Sequence, residues 1–278
     1  MKDNRIEEHR IRISGKQLFY MTAGDGSAAA GKTDNADGAA AKTILYIHGN
    51  TGSSRWYERV MVIPGYRTIA LDMPNFGRSD PVDVADIDIY ADWVTRFCDE
   101  LSLKGVTVVG HSLGGAVAMS MVLRRPDIAD RLLLVDSAPP GGFPTPKEHY
   151  PVIEMYRTNR DLLTQALAAV APSLSDKEFL GELVDDAVKM NGSAFVGNAE
   201  ALGRFSCIAM EGNFRKPVLV LRGAMDILIT REMAERTAAF FPAGRLEELP
   251  DVGHSVMVEN PELFLRTLTA FLGGHEKA

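Results

Sequence analysis

The chain is 278 residues long, 46% hydrophobic and 24% charged, which suits one large α/β domain with an inserted module rather than a single small core. A formal net charge of −7 speaks against nucleic acid and anionic membranes as partners. The two cysteines, Cys98 and Cys207, lack metal-ligand spacing, no apolar run reaches the ~18 residues of a membrane span, and the charged first eight residues do not read as a signal peptide. The expectation is a cytoplasmic protein with two buried thiols, no disulfide and no metal.

Residues 9–13 and 17–22 alternate as two strands joined at Ser14-Gly15-Lys16. The stretch 24–42 has no aromatic and no branched aliphatic residue and reads as a long, exposed, flexible loop. Gly31-Lys32-Thr33 within it imitates the end of a phosphate loop, but no strand precedes it, so nucleotide binding is not expected. Residues 43–47 make a buried strand that runs into His48-Gly49-Asn50-Thr51-Gly52. Residues 67–71 make another, which runs into Asp72-Met73-Pro74-Asn75-Phe76-Gly77-Arg78-Ser79. Within 87–103, Ile89, Trp93, Val94, Phe97 and Leu101 recur at helical spacing.

Val106-Thr107-Val108-Val109 is a strand that enters Gly110-His111-Ser112-Leu113-Gly114-Gly115 without slack, and a small-residue helix starts at once. Such a turn strains the backbone at Ser112 and lifts its hydroxyl off the sheet edge, at a helix N-terminus that favours developing negative charge. Gly110 and Gly114 stand where a Cβ would collide with the neighbouring strand or helix. The helix runs to Arg125 and Pro126 stops it. Residues 131–135 are a further strand, ended by Asp136-Ser137-Ala138-Pro139-Pro140.

Between 139 and 214 no strand is predicted. Residues 150–170, 175–190 and 193–206 read as helices, the second opened by a capping box of Ser175 and Glu178. Strands return at 217–222 and 245–249, with helices at 231–241 and 261–272. The alternation predicts a mostly parallel central sheet flanked by helices. It divides the chain into a core, 1–138 and 215–278, and an inserted helical lid, 139–214.

A serine hydroxyl is a weak nucleophile at neutral pH and needs a base that an acid holds in the right tautomer. Both partners belong on later loops at the carboxyl edge of the sheet. His254, in Gly253-His254-Ser255 after the last strand, fits the base; His48 and His111 sit in tight glycine turns and suit backbone orientation. Two acids compete. Asp226 follows its strand through Gly223-Ala224-Met225, a short flexible turn, and is preferred. Asp136 leads into a proline-stiffened path better suited to a hinge. The backbone N–H of Leu113 and that of Asn50 are the oxyanion donors, each worth roughly 3 kcal/mol of barrier. The Asn50 side chain either projects into the pocket or tolerates a left-handed turn.

Together, His48-Gly49-Asn50, the loop from Asp72 to Ser79, Gly110-His111-Ser112-Leu113-Gly114-Gly115, Gly223-Ala224-Met225-Asp226 and Gly253-His254 resemble the α/β-hydrolase-fold enzymes over nearly the whole chain. The resemblance implies that fold, a helical lid after the sixth strand, and a serine nucleophile rather than the aspartate of haloalkane dehalogenases and epoxide hydrolases. Asn75 stands where glycine is common, and only a local change is expected there. The function expected is cofactor-free hydrolysis of a small-molecule ester with an apolar acyl group. Lactone hydrolysis and carbon–carbon cleavage of the meta-cleavage-product type are the alternatives. The latter would need basic residues such as Arg157, Arg160 or Arg204 at the pocket. A ligand receptor with little turnover is the rival from outside enzymology. Oligomeric state is left open.

Overall fold

A computed structural model describes residues 6–24 and 42–274, so most of the loop expected at 24–42 lies outside the described residues. Strand β1 (Glu7–Ile13) turns into β2 (Lys16–Ala23) through Ser14 and Gly15. These two have φ of 48° and 84°, the paired positive values of a tight hairpin whose twist matches its strands. The remaining strands are β3 (Lys42–Ile47), β4 (Tyr66–Leu71), β5 (Val106–His111), β6 (Ala129–Val135), β7 (Val218–Gly223) and β8 (Gly244–Leu249). They form one sheet in the order β1-β2-β4-β3-β5-β6-β7-β8. The hairpin joins β4 antiparallel, and from β4 to β8 every pairing is parallel.

Parallel strands covered on both faces lose the alternation of a half-exposed sheet, which is why Leu132 to Val135 and Val218 to Leu221 are unbroken aliphatic runs. Successive side chains still feed opposite layers. Leu45 and Ile47 join one buried cluster, and Ile44 and Tyr46 the other. The first layer holds α1 (Ile87–Glu100) and α2 (Leu113–Arg124). The second holds a 3-10 helix, Ser54–Val60, with Trp56 and Tyr57 fully enclosed, an element without a sequence signal.

Between β6 and β7 the described chain is helical, but its helices break differently from the prediction. Residues 150–170 form two helices, α3 (Tyr150–Met155) and α4 (Arg160–Val170), because Asn159 caps the second by accepting from the Leu162 N–H at 3.0 Å. The capping box at Ser175 does not form. Asp176, one residue later, caps α5 (Lys177–Ala187) by accepting from the Phe179 N–H at 3.0 Å, an anionic acceptor displacing a hydroxyl. α6 (Ala194–Arg204) completes the group. α7 (Arg231–Phe240) follows β7, and α8 (Val256–Glu259) and α9 (Pro261–Leu272) follow β8. Both cysteines are buried and free. Among the described residues no helix is long and apolar enough to cross a membrane.

α5 is tied to the 3-10 helix by charge as well as packing. The enclosed Asp186 carboxylate accepts from Ser53 Oγ at 2.9 Å, Arg55 Nε at 2.9 Å and Lys189 Nζ at 2.6 Å. Burial raises this carboxyl, but the bonds from Lys189 and Arg55 outweigh it and hold the group below the usual carboxylate range. Arg59 lies 3.7 Å over the Phe179 ring and pairs with Asp176.

Candidate active site

Ser112 closes β5 and opens α2 with φ 52° and ψ −118°, a backbone conformation that L residues rarely adopt. Close packing enforces it. A Cβ on Gly110 would stand 2.6 Å from the Gly114 carbonyl oxygen, and one on Gly114 would strike the carbonyl oxygens of Ile47 and His48. The strand and helix can meet this tightly only through those glycines. Leu113, the first residue of α2, carries an N–H that has no acceptor within the helix.

His254 lies on the loop after β8, and its Nδ1 is 2.8 Å from Asp226 Oδ2. The other oxygen of Asp226 accepts from the N–H groups of Leu228 at 2.7 Å and Ile229 at 3.2 Å. Burial raises the Asp226 carboxyl. The bond and charge of His254, with help from Asp136 and the Leu228 N–H, overcome that and hold it below the ordinary range. A carboxylate on Nδ1–H leaves Nε2 as the imidazole's proton acceptor. The loop carrying Asp226 is not the flexible turn expected. Asp226 N–H bonds Gly223 O at 3.0 Å, and Arg222 Nε donates to Ile229 O at 2.8 Å.

Asp136, the other candidate acid, sits behind this pair instead of touching the imidazole. Its φ is 44°, it is 1% exposed, and its Oδ1 accepts from Gly223 N–H at 2.9 Å. Burial, and then the charge of Asp226, push its carboxyl well above the ordinary range.

His48 and His111 orient backbone, as their glycine turns suggested. His48 Nδ1 meets Gly49 O at 2.8 Å while its Nε2 accepts from Met73 N–H at 3.0 Å. His111 Nε2 meets the carbonyl of His254 at 2.8 Å, and burial with His254 beside it lowers its pKa to about 3, so it stays neutral. At the loop after β3, the left-handed residue is Thr51, with φ 55°, and not Asn50. Asn50 turns its side chain toward α6 and accepts from Asn198 Nδ2 at 2.8 Å. Asn198 in turn accepts from Tyr90 Oη at 2.9 Å, and Tyr90 accepts from Asn75 Nδ2 at 3.0 Å. The change at Asn75 is therefore more than local: φ stays positive at 77°, and the side chain gained reaches α1 and Asn191.

Two supports carried no local signal. Glu259 on α8 accepts from the N–H groups of Gly253 at 2.8 Å, Ser255 at 2.9 Å and Ser173 at 3.0 Å, holding the His254 loop. Asp72 accepts from Ser54 N–H at 2.7 Å and Arg78 N–H at 2.9 Å, holding the start of the 3-10 helix. An acidic residue six positions from the glycine it bonds looks like any surface charge in a sequence.

Ser112, His254, Asn50 and His111 share the wall of a cavity of about 630 Å³. Its other walls come from the helical segment and the Asp226 loop, including Phe143, Tyr156, Leu163, Phe195 and Ile227. Among the described residues, no Lys, Arg, Asp or Glu lines it. Arg157, Arg160 and Arg204 pair outside it with Glu154, Asp185 and Glu200. A serine at a strained strand–helix turn and an imidazole backed by a carboxylate, both at one apolar cavity, can transfer an acyl group. Asp136, Asp226 and His254 also offer three ligand atoms within 4.8 Å, but Nδ1 of His254 is already engaged with Asp226.

A family model described as the alpha/beta hydrolase family matches residues 44–267. The chain is 25% identical over 248 residues to the sn-1-specific diacylglycerol lipase ABHD11 of Mus musculus, covering 82% of this chain and 80% of that one. It is 25% identical over 275 residues to a 2-hydroxy-6-oxononadienedioate/2-hydroxy-6-oxononatrienedioate hydrolase of Cupriavidus pinatubonensis, covering 91% of this chain and 94% of that one. Its fold is similar to that of an esterase from Exiguobacterium antarcticum, with a TM-score of 0.81 at 19% identity, over 94% of this chain and 97% of that one. Not every relative is of like length: the chain spans 10% of a Burkholderia thailandensis polyketide synthase.

Proposed function

The chain belongs to the alpha/beta hydrolase family, and from that premise we propose that it hydrolyses carboxylic esters of apolar acyl groups through an acyl-enzyme. Ser112 Oγ attacks the ester carbonyl while His254 Nε2 takes its proton, and Asp226 stabilises the imidazolium. The oxyanion is met by the N–H groups of Leu113 and Asn50. The imidazolium returns its proton to the leaving alcohol. Water then enters, gives its proton to His254 and attacks the acyl carbon, which releases the acid and restores Ser112. No cofactor or metal takes part, and the helices between β6 and β7 act as a lid over the acyl group.

The observation that carries this reading is the cavity wall, apolar and without a charged side chain among the described residues. An apolar chain gains by leaving water there, whereas a carboxylate would give up its hydration without a lysine or arginine to meet it. The diacylglycerol lipase relative supports the ester reading. The dioate hydrolase relative favours carbon–carbon cleavage, but a dicarboxylate finds no lysine or arginine in this wall, only the His149 imidazole besides those of His111 and His254. A lactone, being an internal ester, fits the same machinery.

The test is a p-nitrophenyl ester series from acetate to dodecanoate, with a hemi-succinate as the charged member. kcat/KM should rise by about tenfold or more from acetate to the medium chains, in keeping with 1–3 kcal/mol per methylene as an upper range, and the hemi-succinate should be the poorest. Acetate as the best ester, or a preference for the charged acyl group, would contradict the proposal.

A further inference from the structure

We infer that Asp136 is a protonated carboxylic acid that donates its O–H to the Asp226 carboxylate, a positioning residue behind the Asp226–His254 pair. The inference rests on the reading of Asp226 as the acid partner of His254, and it concerns a residue to which that reading gives no task.

The geometry points there from several sides. Asp136 ends β6 in a left-handed conformation, with its own N–H bonded to Leu221 O at 2.8 Å, so its carboxyl is held toward the end of β7. Oδ1 accepts from Gly223 N–H, while Oδ2 is fully enclosed and without a partner when treated as an acceptor. One oxygen of Asp136, one of Asp226 and a ring nitrogen of His254 lie within 4.8 Å of one another. Two ionised carboxylates do not persist so close together out of water; one keeps a proton. The donors decide which. Asp226 receives two backbone N–H groups and the imidazole N–H, all of which favour its anion, whereas Asp136 receives one. A proton on Oδ2 of Asp136 gives that atom the role of donor, with Asp226 as the acceptor in reach. The titratable groups around it are Asp226 after β7, His254 after β8, His111 at the end of β5 and Glu259 on α8, none of which is a fixed cation able to hold a second carboxylate charged.

The consequence for the reaction is orientation without extra charge. The Asp136 O–H occupies a lone pair of Asp226 and fixes the carboxylate plane that faces His254, while the site carries one negative charge and not two.

Infrared spectroscopy of the wild-type protein at neutral pH and of Asp136→Asn, combined with pH profiles of kcat/KM, tests this. The wild type should show a carboxylic-acid C=O band, sensitive to D2O, that vanishes in Asp136→Asn. Asparagine keeps an N–H donor, so its acid limb of kcat/KM should stay within about 0.3 unit of wild type, and its kcat within about tenfold. Asp136→Leu removes the donor and should lower kcat by about 10- to 100-fold with little change in KM. No band at neutral pH, or an acid limb that falls by about a unit in Asp136→Asn because a negative charge has gone, would overturn the inference. The infrared band reads the proton whether or not the Leu variant folds. A separate variant, Asp226→Asn, should cut kcat by roughly 10³–10⁴-fold if Asp226 controls the imidazole tautomer. Retained activity there with the band intact would count against the underlying reading of Asp226, and leave the Asp136 proton standing.

Discussion

A carboxyl that holds its proton in the folded state and loses it in the unfolded chain ties stability to pH. Asp136 is such a group, enclosed beside Asp226 and pushed well above the ordinary range by burial and that neighbouring charge. Its folded value is raised, so the stability it contributes is fully present below the unfolded aspartate value near pH 4 and is lost as pH rises toward the folded value. Asparagine does not titrate. The unfolding free energy of Asp136→Asn relative to wild type should therefore climb by about 1.4 kcal/mol per pH unit from pH 4 upward, until the folded value is reached. Urea unfolding at several pH values measures this, and a difference independent of pH would contradict it. The two aspartates also mark what a single sequence can resolve at this scale. Both follow a strand, both precede His254 in the chain and both could face the last loop; a short flexible turn favours Asp226, but that turn is pinned by Arg222, and Asp136 has its own place behind the pair. Which oxygen meets which nitrogen depends on partners 28 and 87 residues away in the chain.

At the scale of elements, the strands were legible because β-branched and aliphatic runs need no distant partner to be recognised, and β3, β5, β6 and β7 lie within two residues of their predicted bounds. The helices between β6 and β7 were legible as helix but not in their breaks, since Asn159 and Asp176 compete with neighbours of similar capping strength. Least legible was the chain of polar groups that runs from Asn75 through Tyr90 and Asn198 to Asn50. It crosses four separate segments, and each member alone reads as an ordinary surface amide or core tyrosine. Its end at Asn50 gives it weight, because the loop after β3 carries the strained Thr51 beside the proposed oxyanion donor. Asn198→Ala leaves the buried Tyr90 O–H without its acceptor and takes from Asn50 Oδ1 its bond to α6, leaving that oxygen only the Thr51 N–H. It should cost about 1–3 kcal/mol of stability and lower kcat by roughly tenfold or more, with KM little changed. Thermal unfolding and steady-state kinetics together check this; a stability loss with kcat intact would separate the network from the oxyanion loop.

For the molecule as a whole, β5, β7 and β8 fall within a run of four neighbouring parallel strands, so that loops distant in sequence meet at one edge. Residues of the helical segment, from Phe143 to Leu202, supply much of the apolar wall of the cavity beside them. Acylation of Ser112 can be tested without knowledge of the natural substrate. The protein is mixed with a medium-chain p-nitrophenyl ester, quenched in acid within the first turnovers, digested and mapped by mass spectrometry, beside Ser112→Ala. One acyl group is expected on the peptide containing Ser112, none in the alanine variant, with a loss of turnover of about 10³-fold or more in that variant. An acyl group on another residue, or ester hydrolysis that survives in Ser112→Ala at a tenth of the wild-type rate, would contradict it.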